Sequence, residues 1–373
     1  IDMSMLFSEI QLGPVKLNNR IVIAPMCQYS SENGLASPWH LIHLGNLTLS
    51  GAAALIVEAT AVEKIGRISD GCLGLWSDQH ATAIKNVIDT IRPIASTKLF
   101  IQLSHAGRKG SSHKPWESGK LISFENGGWE TVAPSAISHG ADERPPIELD
   151  AAGLERIKEA FVLAAKRATN IGFDGIELHC AHGYLFHQFL SPLSNQRTDE
   201  FGGSSENRMR FPLSVFEAVR AAIPQHIALG VRLSACDWVE GGWTVAESNI
   251  MAQKLEDMGC DFLHVSSGGV STQQKIPIGP GYQVHLAQEI KSHVKHMPII
   301  SVGLINDPLQ AEAILQEGKA DLVALARGIL YNPRWPWHAA AALGAQVEAP
   351  PQYWRCQPAG HTKLFDGVRS NQR

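Results

Sequence analysis

Cysteine is sparse in this chain and never closely paired. Six cysteines, Cys27, Cys72, Cys180, Cys236, Cys260 and Cys356, are scattered over 373 residues without a CxxC among them. That spacing argues against a disulfide framework and against a cysteine-rich zinc or iron–sulfur site. No apolar run approaches the roughly 20 residues a membrane-spanning helix needs. Residues Ile1 to Phe7 also lack the basic segment and apolar core of a secretory signal. The expectation is therefore a cytoplasmic protein with no membrane partner. Long Lys/Arg runs are missing too, and the net charge is −4, which gives no case for a nucleic-acid partner. No strand candidate is followed by a GxGxxG turn, which weakens a doubly wound dinucleotide-binding sheet. There are no internal repeats and no low-complexity segments.

What is present is an ordinary globular composition, 44% hydrophobic and 18% charged, long enough for a large core. Short, mostly continuous apolar runs recur at Arg20–Met26, Ala53–Ala59, Lys98–Leu103, Phe173–His179, Ile227–Leu233, Phe262–Ser266, Pro298–Gly303 and Leu322–Ala326. Unbroken runs such as Leu55-Ile56-Val57 suit parallel strands covered on both faces. Helical patterns lie between them, near His40–Ser50, Gln79–Arg92, Ala151–Asn170, Asn207–Ala222, Ala246–Met258, Gln283–Lys295, Pro308–Glu317 and Trp335–Leu343. Asp150 and Asp307 are N-cap candidates, and Gly172, Gly259 and Gly318 fall just past helix ends. Eight strand–helix units predict an α/β fold, a single (β/α)8 TIM barrel over residues 1–373. The segment Gly13 to Arg20 reads as an N-terminal hairpin that plugs the barrel's bottom. The Gly-, Ser-, Pro- and Trp-rich stretch from about Ala106 to Glu148 reads as an elaborated loop after strand three. Residues from about 356 to 373 read as a flexible tail.

Barrel enzymes place their chemistry at the C-terminal strand ends. The fourth run leads into His179-Cys180-Ala181-His182-Gly183-Tyr184: two imidazoles three residues apart, then a phenol. Such a cluster can grip an oxygen with two N–H donors and deliver a proton, or it can be half of a metal site. Glu follows neither histidine in an HExxH arrangement, and no third ligand is as well placed, so no metal is expected. Other strand ends bring Ala24-Pro25-Met26-Cys27-Gln28-Tyr29, Glu58-Ala59-Thr60, Gln102, Arg232, Ser301-Val302-Gly303 and Ala326-Arg327-Gly328. The glycine-containing loops fall on the last two strands, where barrels often hold phosphate.

Read together, these segments resemble the old yellow enzyme family of FMN-dependent ene-reductases, most of all its bacterial thermophilic-like class that includes xenobiotic reductases. The resemblance also rests on Leu17-Asn18-Asn19-Arg20-Ile21-Val22, Gln102-Leu103-Ser104-His105-Ala106-Gly107-Arg108-Lys109, Asn195-Gln196-Arg197-Thr198-Asp199-Glu200-Phe201-Gly202-Gly203-Ser204 and Glu206-Asn207-Arg208. It implies FMN as cofactor, NADPH or NADH as reductant, and activated alkenes as substrates. In that reading His179 and His182 hold the substrate's carbonyl or nitro oxygen, and Tyr184 protonates the α-carbon. Tyr29 touches the same activating group, and Cys27, where other classes carry threonine, tunes the flavin. Ala24, Pro25, Met26 and Ala59 line the flavin ring, Gln102 pairs with its pyrimidine edge, and Arg232 lies beside N1. Gly303, the Ala326 backbone and Arg327 cradle the phosphate; Ala326 departs from the glycine common there. Arg355, in Pro351-Gln352-Tyr353-Trp354-Arg355, matches an arginine that reaches a neighbouring subunit's site, which implies a homodimer or homotetramer. The iron–sulfur segment of dienoyl-CoA-reducing relatives is missing.

Overall fold

A computed structural model of the chain describes residues 3–369. The eight apolar runs form one closed, all-parallel barrel: Ile21–Ile23, Ala54–Ala61, Lys98–Ser104, Gly175–Cys180, Ala228–Ser234, Phe262–Ser266, Ile299–Val302 and Leu322–Leu325. They follow one another around the barrel in chain order, and Leu322–Leu325 closes it by pairing with Ile21–Ile23. The fold is therefore the expected (β/α)8 barrel. The first strand stops at Ile23, three residues earlier than its apolar run suggested, because Pro25 has no N–H to give a ladder.

The main helices between strands are Pro38–Thr48, Asp78–Ile91, Ala151–Ile171, Ser205–Ala222, Val245–Asp257, Val284–Lys291, Pro308–Gln316 and Trp335–Leu343. Asp150 and Asp307 cap as expected, accepting from the Gly153 and Leu309 N–H groups at 2.7 and 2.9 Å. Two short helices, Leu185–Leu190 and Arg327–Tyr331, are additions that sequence periodicity could not show at five or six residues. The expected helix from Gln283 to Lys295 ends at Lys291. Within the long third loop, Val132–Ala133 and Ile147–Glu148 form a small parallel pair.

Register decides what the barrel encloses. Residues paired across parallel strands share a face. Phe100 pairs with Gly175, and Gly230 pairs with Phe262. A Cβ on Gly175 would lie 2.6 Å from the Phe100 ring, and one on Gly230 would lie 2.3 Å from the Phe262 ring. Two glycines thus make room for two phenylalanines, each contributing about 1.5–3 kcal/mol when fully buried. Val22, Ala54, Ile56, Ile300, Leu322 and Ala324 complete this apolar interior layer. Leu12, Val15 and Leu17, from the hairpin Ile10–Leu12/Val15–Leu17, join the same cluster. One step higher the interior turns polar: Gln102 pairs with Glu177, and His179, Arg232 and His264 follow in register. The outer strand faces, including Ile101, Ile176, Val231 and Leu263, pack into the large core beneath the helices.

The lower rim is held by a repeated carboxylate device. Asp174 accepts the Leu99 N–H at 2.8 Å, Asp261 accepts that of Leu229 at 2.9 Å, and Asp321 accepts that of Ile299 at 2.9 Å. Each also pairs with a cation: Arg92, Arg220 and Lys291 respectively. Asn19 does the corresponding work for the first two strands, accepting the Ile21 and Ala53 N–H groups.

The expected loose tail differs from what the structure shows as far as residue 369. Leu364 and Phe365 are buried against Trp337 and Val347, and the Val347 N–H bonds the Leu364 carbonyl at 2.9 Å. Two large apolar side chains explain the docking. Residues 370–373 of that expectation lie outside the described residues.

Candidate active site

After Cys180 the chain makes a left-handed turn at His182, φ +59°, before Tyr184 caps the helix Leu185–Leu190. The turn is pinned from beneath. Gly183 N–H donates to His187 Nδ1 at 2.8 Å, and His187 Nε2 meets Asp237 at 2.6 Å. Asp237 also accepts from Ser191 Oγ and from the Trp243 N–H. From above, Lys109 Nζ donates to the carbonyls of His182 and Gly269 at 2.8 and 3.0 Å. Its ammonium lies 4.9 Å from the Tyr184 ring centroid. Sequence reasoning assigned no role to Lys109, His187 or Asp237. Lys109 and His187 stand in or beside quoted motifs, whereas Asp237 carried no signal.

The two imidazoles stand edge to face, 5.2 Å apart at 87°, and His179 meets the Tyr184 ring at 5.1 Å. Burial, followed by the Arg232 charge, holds both histidines well below the ordinary 6.5, so both are neutral near pH 7. His179 Nδ1 accepts the Ala181 N–H at 3.3 Å, which leaves its proton on Nε2. His182 Nε2 lies 2.7 Å from Ser266 Oγ; a serine that donates there puts the His182 proton on Nδ1. Each ring then keeps one N–H to offer. Among the described residues no group of three or more His, Cys, Asp or Glu is arranged to hold a metal.

Tyr184, Tyr29 and Cys27 cluster close enough to influence one another's ionisation. Burial first, then the neighbouring Cys27 and Tyr29, push Tyr184 well above 10, and burial likewise raises Tyr29 and Cys27. All three keep their protons at neutral pH. Tyr29 takes a left-handed backbone, φ +51°, with its ring edge-on to Trp116 at 5.8 Å. The preceding loop is anchored by Glu58, which accepts the Gln28 N–H at 3.1 Å and lies 3.1 Å from His40 Nε2. Ala24 and Ala59 are buried, and Pro25 and Met26 are half-buried; Ala59 sits in the irregularity between Val57 and Thr60 on strand two.

Arg232 is the most unusual group. It is 7% exposed, and its Nε has no hydrogen-bond partner. Among the described residues no ion pair joins Arg232 to Glu177, although both face the barrel interior. Glu177 instead accepts from Gln102 Nε2 at 2.8 Å and lies 3.0 Å from His264 Nδ1. His264 Nε2 is a second buried atom without a partner. Arg232, His182 and Ser266 line a cavity of about 300 Å³ that runs to Gly303, Ala326 and Arg327. Gly303 has φ +120°, and a Cβ there would lie 2.7 Å from Gln283 Nε2. Arg327 is exposed at this cavity's edge. A buried guanidinium without a carboxylate, joined by one cleft to a glycine turn and a second arginine, suits a polar ring that carries a phosphate, as FMN does. Arg355 is not brought to this cavity; it lies exposed in the 3-10 segment Pro351–Cys356.

Comparison with known proteins agrees in scale and in kind. The sequence profile described as the NADH:flavin oxidoreductase / NADH oxidase family matches residues 5–346. An NADH:flavin oxidoreductase of Gibberella zeae is 44% identical over 92% of this chain and 86% of its own length. An NADPH dehydrogenase of Geobacillus sp. is 43% identical over 94% of this chain and 98% of its own. Among solved structures, morphinone reductase superposes with a TM-score of 0.74 at 27% identity over 99% of both chains. A 2-naphthoyl-CoA reductase gives a TM-score of 0.81 at 26% identity, covering 91% of this chain but 52% of that one, so the chain spans about half its length. With a profile match over nearly the whole barrel and relatives above 40% identity, the chain belongs to the NADH:flavin oxidoreductase / NADH oxidase family, the FMN-dependent NAD(P)H oxidoreductases of the old yellow enzyme type.

Proposed function

We propose that this protein is an NAD(P)H-dependent ene-reductase of the thermophilic-like, xenobiotic-reducing class. It would act by a ping-pong cycle on α,β-unsaturated carbonyls, imides and nitroalkenes. The observation that carries the reading is the pair of buried imidazoles, edge to face at 5.2 Å, beside the Tyr184 ring at 5.1 Å from His179 and near a buried guanidinium whose Nε has no partner. Bound FMN would supply the redox chemistry, carrying a hydride equivalent from NAD(P)H to the alkene's β-carbon.

The chain's own groups do the rest. His179 Nε2 and His182 Nδ1 would donate to the substrate's carbonyl or nitro oxygen, where negative charge grows as the β-carbon is reduced. Preorganised donors at such an oxygen are each worth about 3 kcal/mol in other enzymes. Neutrality suits them, because an imidazolium pair beside Arg232 would be strongly repelled. Tyr184, held protonated, would deliver its proton to the α-carbon, and Tyr29 would bond the activating group. Cys27, as a protonated thiol, would tune the flavin's potential and not act as a nucleophile. Arg232 would compensate negative charge at the flavin's N1 edge, and Gln102 would pair with its pyrimidine edge. Ala24, Pro25, Met26 and Ala59 would line the ring. Gly303, the Ala326 backbone and Arg327 would hold the phosphate by close approach and charge-assisted bonds. Arg355, exposed on its own subunit, would complete a neighbour's site in a homodimer or homotetramer.

The test is spectroscopic. The purified protein should show a flavin band with FMN, bleach anaerobically with NADPH or NADH, and recover the band on addition of cyclohexenone. A protein that bleaches but is not reoxidised by any activated alkene would refute the ene-reductase reading.

A further inference from the structure

A second cleft, of about 590 Å³, opens among the loops after the first three strands and takes no part in the site above. That volume falls in the range of roughly 300–1,000 Å³ typical of small-molecule sites. Three cations line it: Lys64, Arg67 and Lys114. Arg67 is buried and held in one orientation. Its Nε donates to the Lys64 carbonyl at 2.9 Å, and its guanidinium lies 4.7 Å from the Trp129 ring and 5.7 Å from that of Trp76. One terminal nitrogen reaches the Asp70 carbonyl at 3.5 Å, and the other makes no hydrogen bond among the described residues. The carboxylate next in sequence to Lys64, Glu63, is already engaged by His105 and Arg156. Two acidic residues, Glu32 and Asp70, also line the cleft, but both are exposed whereas Arg67 is buried, so the deepest charge is positive.

The cleft adjoins the reacting centre. Ser31 on its wall is two residues beyond Tyr29, and its N–H bonds the Gly71 carbonyl at 2.9 Å. A Cβ on Gly71 would lie 2.6 Å from the Tyr29 carbonyl oxygen and 2.7 Å from Lys114 Cε, so the lysine stem runs along the Tyr29 backbone. A molecule whose reacting ring lies beside Tyr29 can trail an anionic end into this cleft.

We propose that Lys64, Arg67 and Lys114 bind the adenosine 2′-phosphate end of NADPH and so make this chain select NADPH over NADH. A phosphomonoester is dianionic near pH 7 and accepts several charge-assisted bonds, which a fixed guanidinium and two ammonium groups supply. NADH offers a neutral hydroxyl at the same place. The proposal rests on the reading that NAD(P)H reduces the bound flavin.

Two measurements on the FMN-loaded enzyme test it. Adenosine 2′,5′-bisphosphate, titrated calorimetrically, should bind clearly more tightly than 5′-AMP, and Lys114→Glu should weaken that binding about tenfold or more. In anaerobic flavin reduction, Lys64→Glu and Lys114→Glu should raise the ratio of the NADPH to the NADH half-saturation constants by a similar factor. Arg67→Lys keeps the charge but loses the fixed fork, and should move the ratio less. Equal weakening for both nucleotides, an unchanged ratio, or equal binding of the bisphosphate and 5′-AMP would each overturn the proposal. If neither nucleotide reduced the flavin, the ene-reductase reading would fall, and the bisphosphate titration would still decide this one.

Discussion

The two ends of the barrel are built to opposite rules. At the lower end Asp174, Asp261 and Asp321 each hold a neighbouring strand's N–H and a cation, and the interior is closed by Phe100, Phe262 and the hairpin's Leu12, Val15 and Leu17. At the upper end Arg232 Nε, His264 Nε2 and Ser104 Oγ are buried without partners, against Arg220 Nε alone among the lower rim's ion pairs, and Tyr29, His182 and Leu304 adopt left-handed backbone conformations. Unpaired buried polar atoms and strained residues are costly, and native folds keep them where a ligand or reaction uses them. The lower end maintains the barrel, and the upper end spends part of that stability on a site.

Removing the upper end's least compensated group should show the contrast most sharply. Arg232→Met should lower FMN affinity about 100-fold or more, because a charge-assisted contact is lost. It should leave the apoprotein as stable or more so by about 1–3 kcal/mol, because a buried unsatisfied donor is removed. Flavin fluorescence titration and equilibrium unfolding measure the two effects. A marked loss of apoprotein stability would mean that Arg232 is structural, and the comparison would break there. His179→Ala comes next: reoxidation of the reduced enzyme by cyclohexenone should slow about 100-fold, in line with about 3 kcal/mol for one oxyanion donor, with flavin still bound. Unchanged turnover would remove the oxygen clamp.

At the lower end the effects reverse. Asp261→Ala strips the Leu229 N–H and Arg220 of their shared carboxylate. It should cost about 2–3 kcal/mol in urea unfolding while leaving the turnover of folded enzyme unchanged. A large fall in turnover without a loss of stability would contradict the division.

Much of this was legible in the sequence, and the reason is physical. A parallel strand covered on both faces must be apolar throughout, so eight such runs announced the barrel, and the glycine and aspartate caps marked helix ends. His179, His182, Tyr184, Cys27 and Tyr29 could be named because they stand at strand ends within long recognisable motifs. What stayed hidden depends on register or on distant pairing. Nothing in the string shows that Gly175 faces Phe100, that Glu177 is taken by Gln102 and His264 and not by Arg232, or that Asp237 anchors the His182 turn. The docking of Leu364 and Phe365 was likewise masked by their polar neighbours. The carboxylates before strands four, six and eight are visible as a pattern only once the strands are aligned.

The histidine pair adds a pH dependence of known sign. Both rings are held below their ordinary 6.5, so below about pH 6.5 the unfolded chain takes up protons that the native protein refuses. Stability should therefore fall as pH drops from 7 towards 5, by at most about 1.4 kcal/mol per pH unit per ring. His179→Gln should flatten part of that slope in unfolding curves taken at each pH. An identical slope in the variant would assign it to other groups.

The smallest effect should come from Lys109, which separates holding the site from performing its chemistry. Its ammonium ties the carbonyls of His182 and Gly269 together and lies over the Tyr184 ring. Burial, then the charge of Arg108, pushes it down to about 8. Its positive charge is present below that pH and lost above it. A neutral amine still has protons to donate, but its bonds to the carbonyls are weaker and its attraction to the phenol ring, about 0.5–2 kcal/mol, disappears. Alkene reduction should therefore decline a few-fold on the alkaline side with a midpoint near pH 8, while flavin reduction should be less affected. Lys109→Met should be slower at neutral pH and should lack this limb, because there is no charge to lose. Lys109→Arg should also lack it, yet recover part of the neutral-pH rate through a permanent cation. A limb that persisted in Lys109→Met would belong to another group, and the lysine would then be a structural tether like those at the barrel's lower end.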